Sequence, residues 1–129
     1  MAKAASELTK EELRSYRPWL SMEQHQKDPE ASRRRDDAWE VARVVAGMLK
    51  KRFGATRVVV FGSLARKSVF TPWSDIDLAV WGIAPEKYYQ AAGGAMDIGL
   101  EDGIRVDVID PGDCDSQFLK AVEQEGIDL

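Results

Sequence analysis

Cysteine and histidine are nearly missing from this chain. It has one of each, Cys114 and His25, which excludes an internal disulfide. It also excludes a His/Cys zinc site, since such sites need three or four soft or imidazole ligands. Any metal must be held by oxygen. No apolar run approaches the ~20 residues that cross a bilayer, and the opening MAKAASELTKEELRS has no hydrophobic signal core. Neither a membrane role nor secretion is expected, and the expected location is cytoplasmic. Surplus positive charge is absent too: 18 Lys and Arg stand against 22 Asp and Glu, a net charge of −4. That is the wrong sign for nonspecific grip on phosphate backbones. The chain contains neither GxxxxGKS/T nor GxSxG, so P-loop and nucleophile-elbow chemistry drop out.

What is present suits one soluble domain: 129 residues, 44% hydrophobic and 31% charged. A capping-box-like start at Thr9, Glu11 and Glu12, followed by Leu13, Tyr16 and Leu20, predicts a short helix over 6–20. Asp28 and Pro29 make an N-cap and first helical position. From there Ala31, Ala38, Trp39, Ala42, Val45, Met48 and Leu49 recur at three and four, predicting a helix to about Phe53 with Gly54 beyond it. The β-branched run at 57–61 reads as a buried strand, and 75–81 alternates strictly as a second. Pro85 opens a helix over 85–100, weakened at Gly93 and Gly94. A third strand is predicted over 104–109 and a last helix over 115–125. Residues 1–27 are expected to be an N-terminal helical extension and 28–129 the domain, an α+β, α/β-like fold with a small sheet against helices.

Asp75 and Asp77 lie at i and i+2 of a strand, so both leave the same face, about 7 Å apart at the backbone. Alone, such a pair is more often the solvated face of an antiparallel sheet. The third strand adds to it: with Ile104, Val106 and Val108 on the apolar face, Asp107 falls on the other. If the two strands are neighbours, three carboxylates share one patch, and a divalent cation is the natural compensation for their repulsion. Asp110, beside Pro111 and Gly112, competes for the third place but reads better as turn chemistry. Gly62 and Ser63 come straight off the first strand, where glycine admits a close backbone approach and the hydroxyl and following N–H groups suit a phosphate; Arg66 is near enough in sequence to join them. Turn and carboxylates together point to a nucleoside triphosphate with metal. Of the other notable residues, His25 reads as an exposed bystander, and Trp19, Trp39, Trp73 and Trp81 as core or interface, with Trp73 in a position to border a nucleotide. The basic runs at 33–35 and 50–52 read as solvated helix faces.

FGSLAR at 61–66, SDIDLAV at 74–80 and VDVID at 106–110 together resemble the nucleotidyltransferases of the DNA polymerase β superfamily, above all the minimal nucleotidyltransferases, the MNT or MntA-like proteins paired with HEPN-domain toxins. The resemblance runs from about residue 41 to the C-terminus. It departs from the common pattern in a loop of eleven residues, 64–74, and in Lys67, where glycine is usual. The resemblance implies a small mixed sheet flanked by helices. It implies that Gly62, Ser63 and Arg66 bind the triphosphate and that Asp75, Asp77 and Asp107 are the catalytic and metal residues, holding two Mg²⁺. The implied reaction is transfer of AMP from ATP to a hydroxyl, a tyrosine of a HEPN toxin, by an antitoxin in a hetero-oligomer. The alternatives are a noncatalytic antitoxin or another acceptor. Tyr16 and Trp19 in the first helix and Phe118 and Leu119 in the last are the expected partner contacts.

Overall fold

The computed structural model describes residues 29–66, 70–71 and 73–129. The expected helix over 6–20, with Tyr16, Trp19 and His25, lies outside the described residues, as does Lys67. Within them the order is α1 (Pro29–Phe53), β1 (Arg57–Phe61), β2 (Ile76–Trp81), α2 (Tyr88–Glu101), β3 (Val106–Ile109), α3 (Ser116–Glu125) and β4 (Ile127–Asp128). The sheet order is β3-β2-β1-β4. β1 pairs antiparallel with both β2 and β4, and β2 pairs parallel with β3 through the α2 crossover. The result is the mixed α+β sheet expected.

One stripe of α1 makes the helical side of the core. Ala38, Val41, Ala42, Val45, Ala46 and Leu49 recur at three and four and are all buried, packed with Val58, Val60, Ile76, Leu78, Val80 and Val106 from the sheet. α2 covers the same face through Ala91 and Ala95, and that packing carries the helix unbroken through Gly93 and Gly94, where the sequence reading weakened it. The other face is covered only in part. Val122 and Phe118 of α3 pack on Val59 and Ala79, with Phe61 and Trp81 at the margin, and the Phe61 and Phe118 rings meet edge to face at 5.2 Å.

Two strand starts and one whole element in the sheet differ from expectation. β2 begins at Ile76 and β3 at Val106, one and two residues later than the alternation suggested. The cause at β3 is a close approach. Ile104 N–H donates to Gly99 carbonyl at 2.9 Å, and a Cβ on Gly99 would run into Ile104 carbonyl oxygen, so the chain is still part of the helix turn at that point. The short β4 was not anticipated. It closes the free edge of β1, helped by Leu129 N–H on Val58 carbonyl at 2.9 Å and by Arg57, which reaches Glu123 and Asp128.

Candidate active site

The face of the sheet under α3 carries the odd-numbered residues of β2, which are Asp77, Ala79 and Trp81. α3 packs on Ala79 and leaves Asp77 at the open end. Register then decides what Asp77 meets: Phe61 across β1 and Asp107 across β3. Two carboxylates therefore stand directly opposite one another on adjacent strands, where like charges repel. Asp75, one residue before β2, adds a third charge. Half-buried Asp77 shows the consequence, because burial first, then the charges of Asp107 and Asp75, push its carboxyl up to about 6.

The turn after β1 closes over this patch. Gly62 has φ +73°, and a Cβ there would sit 2.7 Å from Asp77 Oδ2, so only glycine lets the backbone pass so near the carboxylate. Arg66 N–H donates to Gly62 carbonyl at 3.1 Å, and Leu64 is fully buried, which pins the turn to the core. Ser63 follows Gly62 on this turn, half-buried. Exposed Arg66 ends it, with Nη2 3.9 Å from Glu125. On the approach to Asp75, Thr71 N–H donates to Ser74 Oγ at 2.9 Å and Trp73 N–H to Thr71 Oγ1 at 3.2 Å. That small turn leaves Trp73 39% exposed, two residues from Asp75, so it is not a core residue.

Asp75, Asp77 and Asp107 thus come to one patch, next to Gly62 and Ser63. Asp110 does not join them. Its carboxylate accepts Gly112 N–H at 2.9 Å, the turn role foreseen, and it lines an open cavity of about 500 Å³ with Trp81, Pro85, Tyr88 and Leu119 at the far end of β2 and β3. Among the described residues, no three Asp, Glu, His or Cys side chains are already gathered as a ligand set for a metal ion. The donors nevertheless suit a hard cation: all are carboxylate oxygens, and their mutual repulsion on Asp77 is the charge a cation would relieve. Among the described residues Arg105 pairs with Asp107, its Nε 3.4 Å from Oδ1 in an exposed pair.

One expectation needs correcting. Arg34 and Arg35 are not a solvated helix face. Arg35 Nη2 donates to the carbonyls of Leu64 at 3.0 Å and Arg66 at 2.8 Å, and Arg34 Nη2 to that of Gly103 at 3.0 Å. The sequence held a signal for this, because both positions extend the buried stripe of α1 backward by three or four residues from Ala38. Half-buried Phe118, expected at a partner surface, also meets Phe61 within the fold.

A nucleotidyltransferase domain family model matches residues 42–127. A solved structure described as a minimal nucleotidyltransferase aligns over 74% of this chain and 95% of its own length, at 24% identity and a TM-score of 0.60, a likeness of fold. No protein of curated function matches the chain.

Proposed function

Since the chain belongs to the nucleotidyltransferase domain family, whose members generally use a nucleoside triphosphate and a divalent metal, we propose that it transfers AMP from ATP to a protein hydroxyl, a tyrosine of a HEPN-type toxin, and acts as that toxin's antitoxin. The observation that carries the reading is the facing of Asp77 and Asp107 beneath the Gly62 turn. In this proposal Asp75, Asp77 and Asp107 hold the Mg²⁺ ions, which neutralise phosphate charge and make the acceptor hydroxyl more acidic. Gly62 lets the triphosphate reach the backbone, Ser63 donates its hydroxyl to a phosphate oxygen, and Arg66 leaves Glu125 for the same phosphates. Asp107, with a side chain 35% exposed, faces the acceptor and takes the hydroxyl proton. The acceptor oxygen bonds to the α-phosphorus, the bond to the β-phosphate oxygen breaks, and pyrophosphate leaves.

The open end of the sheet face beside α3 leaves this site accessible, so a partner that covers it would both present the hydroxyl and exclude water. We place the complex in the cytoplasm. The test is incubation with α-labelled ATP, Mg²⁺ and the product of the neighbouring gene. Label on the neighbour, lost when its acceptor tyrosine is changed to phenylalanine, is the expected result. A stable complex without transfer would replace this reading with a noncatalytic antitoxin, and label on another molecule would replace the acceptor.

A further inference from the structure

Arg35 lies on the core-facing line of α1, three residues before fully buried Ala38. A single nitrogen of its guanidinium donates to two carbonyls of the turn after β1, those of Leu64 and Arg66, across 29 and 31 residues of sequence. Among the described residues the turn is also held by one backbone bond of its own, from Arg66 to Gly62, by the buried side chain of Leu64 and by the exposed Arg66–Glu125 pair. Hydrogen bonds from a charged donor are stronger than neutral ones, so Arg35 is a principal restraint on this segment.

We infer that Arg35 is a positioning residue for the triphosphate turn; the inference rests on the reading of Gly62 and Ser63 as phosphate holders. A peptide unit is planar and trans, with its C=O and N–H on opposite sides. Drawing the Leu64 carbonyl to Arg35 therefore turns the Ala65 N–H away from Arg35, while Arg66 N–H on the Gly62 carbonyl holds the Gly62–Ser63 peptide plane at the other end of the turn. The guanidinium also sets a permanent positive charge behind the turn, against the negative patch of Asp75, Asp77 and Asp107, and so favours the arrival of a polyanion. Arg34 does the parallel work at the turn before β3, holding Gly103 carbonyl at 3.0 Å. One end of α1 thereby ties down both turns that lead to the site.

The experiment compares Arg35→Gln and Arg35→Lys with Arg43→Gln, an exposed control on the same helix that pairs with Glu40. Amide exchange across 62–66 is measured without ligand. The Kd for inorganic tripolyphosphate with Mg²⁺ is measured by calorimetry, and KM for ATP and kcat are measured in the transfer assay. Arg35→Gln should speed exchange at 63–66 by about tenfold while β1 and β2 keep their protection. It should raise Kd and KM by about tenfold and leave kcat within about threefold. Arg35→Lys should fall between, and Arg43→Gln should match the wild type. If Arg35→Gln does not fold, Arg35→Lys carries the same comparison. Wild-type Kd and KM in the Arg35 variants, or protection lost equally over the whole sheet, would overturn the positioning role. A wild-type protein that binds neither ATP nor tripolyphosphate would instead remove the triphosphate reading, and this inference with it.

Discussion

Asp77 is an acid held where an acid is uncomfortable, half-buried and facing a second carboxylate. Its carboxyl titrates near 6 in the folded protein against 3.8 for the free group, so the folded state binds the proton more tightly than the unfolded one. Its charge therefore weakens the fold. The penalty is absent below about pH 4, grows as the pH rises through the folded value, and is complete above it. Asp77→Asn should accordingly raise the melting temperature at pH 7.5 without divalent cations and lose that advantage at pH 4. Solvent screening at a half-buried position holds the gain to on the order of 1 kcal/mol. Activity should go the other way: Asp75→Ala, Asp77→Ala and Asp107→Ala should each lower transfer by at least about 100-fold with the fold intact. Asp110→Ala, which loses only a turn bond, should stay within about threefold. Steady-state rates beside circular dichroism check both halves. At Gly62 the objection is steric. Gly62→Val places a branched side chain at positive φ against the Asp77 carboxylate, and calorimetry should find ATP binding abolished, whereas Ser63→Ala should weaken it by about tenfold or less.

At the scale of elements, the site depends on how α2 hands the chain to β3. The last turn of α2 touches the incoming strand at Gly99, where an added Cβ would meet Ile104 carbonyl oxygen and lie 2.7 Å from Val106 Cγ2. Gly99→Ala should cost about 1–3 kcal/mol through overpacking, read as a lower urea midpoint. It should also lower transfer, because displacing the start of β3 displaces Asp107 relative to Asp77. A stability loss with full activity would separate the turn from the site. α3 has a different role: it covers Val59 and Ala79 and packs Phe118 on Phe61, the residue paired with Asp77, so it borders the carboxylate patch. Helix periodicity foretold α1 and α3, since each buries one stripe; Pro85 foretold α2, and the β-branched run foretold β1. β4 escaped because two residues carry no period and pair only after α3 has returned the chain to β1.

At the scale of the molecule, the open sheet end and the carboxylate patch predict a partner. Size-exclusion light scattering of the chain co-expressed with its genomic neighbour should give one hetero-oligomer at both low and moderate salt. Separate elution under both conditions, with no label transferred, would sink the toxin-partner reading and leave the nucleotidyltransferase reading standing. The surfaces that could make that contact include half-buried Phe118, which also packs on Phe61, and exposed Trp73, two residues before Asp75.

The sequence alone determined what local chemistry can determine. Period and capping marked the helices, glycine after a strand marked the turn, and the parity of residues along a strand put Asp75 with Asp77 and Asp107 opposite Val106 and Val108. Parity could not say which strands are neighbours, in which direction, or in what register. Only the tertiary structure set β3 parallel beside β2 with Asp107 facing Asp77, because that pairing is fixed by α2 packing against α1 and by the Gly99 approach, contacts between residues distant in sequence. The same reason hid Arg35. Its pattern places it on the buried side of α1, but the carbonyls it holds belong to a turn about thirty residues away, and that meeting exists only once the helix lies across the sheet.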